Sequence, residues 1–175
     1  MLQNIGLSFD EVEDRLLLTV TEAPADAPPI MHNLHLTRRT CAVWRQVLQA
    51  MVDLSAQPPD RLAPATKAAV SSAHHQAMAA KTDLRLEPHT KPLPKQERAA
   101  LVTQIACGRR RADDRWVLRF ACQNRPTLSL YLSDATLHAL VQALSLRLKT
   151  TAWNLPSLPA EAPPESLARA DSPLH

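Results

Sequence analysis

The chain has 175 residues, 45% of them hydrophobic, a formal net charge of +3 and an isoelectric point near 9.0. That length and apolar content suit one core and argue against collagenous, membrane-embedded and wholly disordered classes. Two glycines against fifteen prolines leave out the phosphate cradles, nucleophile elbows and dinucleotide turns that need glycine for close backbone approach.

The N-terminal stretch MLQNIGLSFDEVEDR has no basic region, apolar run or cleavage site of a secretory leader, and no stretch nears the roughly 20 apolar residues of a membrane span. The expectation is a cytoplasmic protein with no membrane partner. Ile5, Leu7 and Phe9, then Leu16, Leu18 and Val20, alternate with other residues around the turn EVED. As a hairpin they pair Phe9 with Leu16, Leu7 with Leu18 and Ile5 with Val20, which puts every apolar partner on one face. A third strand carrying Leu34 and Leu36 runs into a helix beginning at Thr37, with its stripe on Cys41, Trp44, Val47, Leu48 and Met51.

Asp60 is placed to cap an alanine-rich helix from about Arg61 to Lys81, with Pro64 tolerated in the first turns. Its expected packing face is the strip Leu62, Ala69, Ala73, Ala77 and Ala80, turned toward the sheet or a second subunit. The stretch RLEPHTKPLPKQER that follows has three prolines among charges and reads as an extended linker.

Beyond it the first pattern returns one hundred residues later. Ile105 and Cys107 face Phe120 and Leu118 around the turn RADD, and Asp114-Arg115 overlays Asp14-Arg15. Arg109 stands where the first hairpin has Phe9, so the second hairpin is expected to be exposed near its turn. The stretch from Asp114 to Leu148 is the cleanest of all: two alternating strands, then Leu137, Leu140, Val141, Leu144 and Leu148 at helical spacing, with Ser133 as cap and Asp134 in the first turn. Gly6 and Gly108 each lie inside a strand, where a bulge is the expected use. The end of the chain, from Asn154, has five prolines and no period, and reads as a disordered tail after a last anchor at Trp153.

The fold expected is therefore α+β, as two tandem β-β-β-α units in a pseudo-two-fold internal repeat, joined by an Ala-rich helix and a Pro-rich linker. The units take residues 1–56 and 99–153, the connection 57–98 and the tail 154–175. Whether the units share a sheet is left open.

No catalytic constellation stands out. His32 and His35 fall on opposite faces of a strand, and His74 and His75 lie about a hundred degrees apart on a helix, so neither pair chelates and no metal or cofactor is expected. His138, beside the last helix's stripe, reads as a core histidine satisfied by a backbone or carboxylate partner. Cys41, Cys107 and Cys122 read as reduced thiols at or near the core. The residues that break local rules are arginines. Arg38 and Arg39 occupy a helix's first turn, where positive charge is unfavourable unless an anion or a nearby acid, Asp10, Glu11 or Glu13, compensates. Arg109, Arg110 and Arg111 crowd a hairpin tip beside Asp113 and Asp114. These five are the expected contacts for an anion, a phosphate or a partner's carboxylates. The function expected is a non-catalytic assembly or accessory subunit acting through strand edges, helix faces and tail, with another protein or a second copy as partner. A nucleic-acid-associated protein is the rival.

Overall fold

The computed structural model describes residues 2–22, 28–81 and 99–155. Among these residues the fold is α+β: a six-stranded mixed sheet with three helices. Strands β1 (Leu2–Asp10), β2 (Arg15–Glu22) and β3 (Ile30–Leu36) precede helices α1 (Arg38–Ala56) and α2 (Pro64–Ala79). Strands β4 (Ala100–Arg109), β5 (Trp116–Cys122) and β6 (Arg125–Leu132) precede α3 (Asp134–Lys149). The proline-rich connection and the end of the chain lie outside the described residues.

The alternating apolar residues set the register. Ile5 pairs with Val20, Leu7 with Leu18 and Phe9 with Leu16; Ile105 pairs with Phe120, Cys107 with Leu118 and Arg109 with Trp116. A one-residue slip in either hairpin would turn its apolar set to the wrong face. Each first strand is irregular at one place, between Leu2 and Asn4 and between Val102 and Gln104. The glycines take no part in these bulges, contrary to expectation: Gly6 pairs in register with Thr19 and Gly108 with Val117, neither at positive φ. Among the left-handed positions, Asp14 and Asp114 end the β1–β2 and β4–β5 turns, with φ 49 and 56, conformations that aspartate tolerates better than most residues.

The strands lie in sequence order across one sheet, closed at its centre by a short parallel joint of Leu34 with Ala100 and His35 with Leu101. A parallel joint needs a crossover, and the chain between β3 and β4, with α1 and α2, is that crossover. Burial gathers on one sheet face, where Leu7, Leu18, Leu34, Val102, Leu118 and Leu130 join the helices in one core.

Each outer helix reaches the other half of the sheet. Helix α1 packs on β4, and its Trp44 meets Phe120 of β5 edge to face at 5.6 Å. Helix α3 starts beside β6 and reaches β1. Its 16 residues make about 24 Å at roughly 1.5 Å per residue, enough to span five strand spacings of about 4.8 Å. Just past its end Trp153 is buried, with its Nε1 donating to Asp14 at 2.6 Å and its ring edge-on to Phe9 at 5.3 Å.

The two outer helices begin alike. The Thr37 hydroxyl accepts from the Thr40 N–H, and the Ser133 hydroxyl from the Thr136 N–H, each at 3.2 Å. Asp134 in the first turn of α3 also accepts from Trp116 Nε1 at 2.5 Å.

Helix α2 departs from its expected form. It starts at Pro64 after an N-cap at Ala63 with no side-chain bond, and Asp60 instead lies 3.6 Å from Lys67. Ala69, Ala73, Ala77 and Ala80 are exposed, and the buried face is Ser71, Ser72, His75 and Ala79. Alanine is tolerated in water as readily as in a core, so an alanine strip fixes no orientation; the polar partners on α1 and α3 decide it. No α2 residue belongs to the hydrophobic core.

Candidate functional site

Beneath α2 lies a chain of buried polar groups drawn from all three helices. Ser55, in the last turn of α1, donates its hydroxyl to the Val52 carbonyl at 3.0 Å and lies 2.8 Å from His138 Nε2. His138 Nδ1 is in turn 2.8 Å from His75 Nδ1. One proton arrangement satisfies the whole chain with both imidazoles neutral: His75 Nδ1–H donates to His138 Nδ1, His138 Nε2–H donates to Ser55, and Ser55 donates to Val52. His138 is fully buried and His75 nearly so. The His74 ring stands edge-on to His138 at 5.2 Å, and among the described residues His74 Nε2 and Ser72 Oγ are buried without a hydrogen-bond partner.

Burial holds the His138 pKa down to about 4, and His75 and His74 push in the same direction against the weaker pull of Asp134. His75 also lines a groove of about 270 Å³ between α2 and α3, together with Ala79, Ala80, Gln142, Leu146 and Lys149.

The order hydroxyl, imidazole, imidazole invites a hydrolytic reading, which the surroundings of Ser55 do not support. In that arrangement its proton goes to Val52, and it lies inside α1, where backbone N–H groups are spent on the helix rather than aimed at a developing oxyanion. A cysteine nucleophile fares no better. Burial pushes the Cys41 thiol up to about 12 and raises Cys122, which leaves little thiolate. Cys107 is exposed rather than near the core, because β4 runs out beyond the cover of the helices toward its turn. Among the described residues no group of three or more His, Cys, Asp and Glu side chains is placed to hold a metal ion.

The expected arginines fall in two places. Arg38 and Arg39 are exposed in the first turn of α1, which has no acidic residue. Asp10 instead caps the β1–β2 turn through the Val12 and Glu13 N–H groups, and Glu13 reaches Arg15. Arg39 lines a hollow of about 430 Å³ with Thr40, Val43, Thr103, Gln104 and Ile105. At the β4–β5 tip the charges are matched locally. Arg109 bonds Asp114 at 2.6 Å with its guanidinium over Trp116, and Arg110 pairs with Asp113 and lies over Tyr131. Asp113 also lies 3.4 Å from Arg115. The Arg110 hydrogen bond, with Arg115 beside it, holds the Asp113 carboxyl down to about 2. Arg111 is exposed.

Sequence reasoning weighed the histidines pair by pair and missed the partnership of His75 with His138. The only signal in the sequence was a polar stripe, Ser71, Ser72, His75, on a helix whose alanines drew attention first. Compared with protein-family models, with curated proteins and with solved structures, the chain finds no match in any of the three.

Proposed function

We propose that this protein is a non-catalytic assembly subunit whose first partner is a second copy of itself, joined through the helix layer. The observation that carries the reading is the outward apolar surface of the helices. Leu54 on α1 is 62% exposed and Leu146 on α3 is 53% exposed, with Val43 and Val70 also outward. Isolated exposed aliphatics are ordinary, but exposed aliphatics on all three helices, one of them on the wall of the α2–α3 groove, favour a contact face. Among the described residues β1 and β6 are the edge strands of the sheet, and they offer further surfaces of the same kind.

We read the body as a duplicated β-β-β-α unit. The equal hairpin registers, the paired bulges, the left-handed Asp14 and Asp114 and the twin N-caps support that reading. Sedimentation velocity over a concentration series tests the assembly. The expected result is a mass twice the 19.3 kDa of the chain, returning to monomer in Leu54→Glu and Leu146→Glu. A monomer at every concentration removes self-assembly.

A second reading, phosphate contact with nucleic acid, is favoured by the exposed Arg38, Arg39 and Arg111. Arg109 and Arg110 add little to it while their aspartates hold them. Titration against duplex and single-stranded nucleic acid is expected to show affinity that falls steeply with salt and weakens in Arg38→Ala/Arg39→Ala. No affinity at low salt ends this reading.

A further inference from the structure

We infer that α2 is a pH-released cover, docked on α1 and α3 through the neutral His75–His138 contact and set free when both imidazoles are protonated. The geometry sets the condition. Between the two Nδ1 atoms, 2.8 Å apart, there is room for one proton. While one Nδ1 carries a proton and the other does not, the Nδ1–H···Nδ1 bond holds. With both imidazoles protonated, two N–H groups and two positive charges are set against each other, and the contact opens.

Among the described residues, α2 brings little apolar anchorage of its own. Its buried face is Ser71, Ser72, His75 and Ala79, with no Leu, Ile, Val or Phe in the core to anchor it. A buried large aliphatic is worth about 1.5–3 kcal/mol, and α2 contributes none. The groups facing His138 are His75 and His74 from α2, the Ser55 hydroxyl from α1 and Asp134 from its own helix. The one acid opposes release and the two histidines favour it. Departure of α2 uncovers His138, which is buried while α2 is docked.

The sign follows from linkage. His138 titrates near 6.5 when free and about 4 when docked, so the undocked state binds more protons between those values. Docking is at full strength above pH 6.5 and weakens as pH falls toward 4, about tenfold per pH unit for each proton taken up. The inference does not depend on self-assembly and is tested apart from it.

The experiment is hydrogen exchange of the full chain followed by mass spectrometry from pH 7 to pH 4, with protection in α2 compared with that in β2 and β5. The expected result is that α2 protection falls about tenfold per pH unit below 6.5 while the strands stay protected, and that His138→Gln, which bonds but does not titrate, flattens the dependence. Loss of α2 and strand protection together overturns the inference, as does an unchanged slope in His138→Gln. Should that variant not fold, the imidazole resonances of the wild type decide. A His138 titrating near 6.5 overturns the inference, and one titrating well below it in step with α2 exchange supports it.

Discussion

The run from β1 to α1 and the run from β4 to α3 place the same backbone devices at matching positions and fill them with different side chains. Where Phe9 closes the first hairpin against Trp153, Arg109 closes the second against Asp114. Where α1 opens on Arg38 and Arg39, α3 opens on Asp134, which also holds Trp116. The hydroxyls at the helix ends bond back alike, Ser55 to Val52 and Thr151 to Leu148, but only Ser55 has a buried imidazole against it. The lesson is that register, turn and cap are set by local chemistry, while the partner across the core gives each half its own interior and surface.

The largest expected break in the comparison is at Trp44. It is fully buried against Phe120 of the other half, so Trp44→Ala should cost about 3–5 kcal/mol in urea unfolding and abolish folding if the total stability is small. Leu140 lies in the equivalent turn of α3 and is as deeply buried; Leu140→Ala should cost somewhat less, about 2–5 kcal/mol. A Trp44→Ala loss under about 1 kcal/mol would contradict the packing described.

The hairpin tips give the next effect, and an unequal one. Phe9→Ala removes the edge-on contact with Trp153 and should cost about 2 kcal/mol, less than a fully buried phenylalanine. Arg109→Ala, at an exposed ion pair, should cost under about 1 kcal/mol. Phe9→Ala should shift the Trp153 part of the emission to the red, whereas Arg109→Ala, which uncovers Trp116, should act on the Trp116 part instead.

The smallest effect sharpens the likeness. Thr37→Ala and Ser133→Ala should each lose about 1 kcal/mol, and within error the same amount. Arg38→Asp should recover a few tenths to about 1 kcal/mol by matching the helix dipole. A cap loss in one helix alone would show that the twin geometry hides unlike energetics.

The hairpins, the capped starts of α1 and α3, the exposed end of β4 and the Trp153 anchor were legible because each rests on neighbours in sequence: alternation, a hydroxyl three residues ahead of an N–H, an arginine where a phenylalanine would bury. Helix α2 was misjudged for the opposite reason. Its alanines carry little preference between water and core, and Asp60 is several residues short of the helix it was expected to cap. The arginines were singled out because they break local rules. That Arg109 and Arg110 would be held by aspartates three to five residues on depended on how the turn closed.

By itself the sequence determined the alternating strands, their in-register hairpins and the two amphipathic helices, because those patterns act over a few residues and admit few alternatives. Tertiary structure decided that all six strands share one sheet, that each outer helix crosses to the opposite half, and that His138 meets His75 and Ser55 rather than a carboxylate. Those outcomes join residues more than sixty positions apart. They follow from which polar groups find partners once water is driven out, and no local pattern records that.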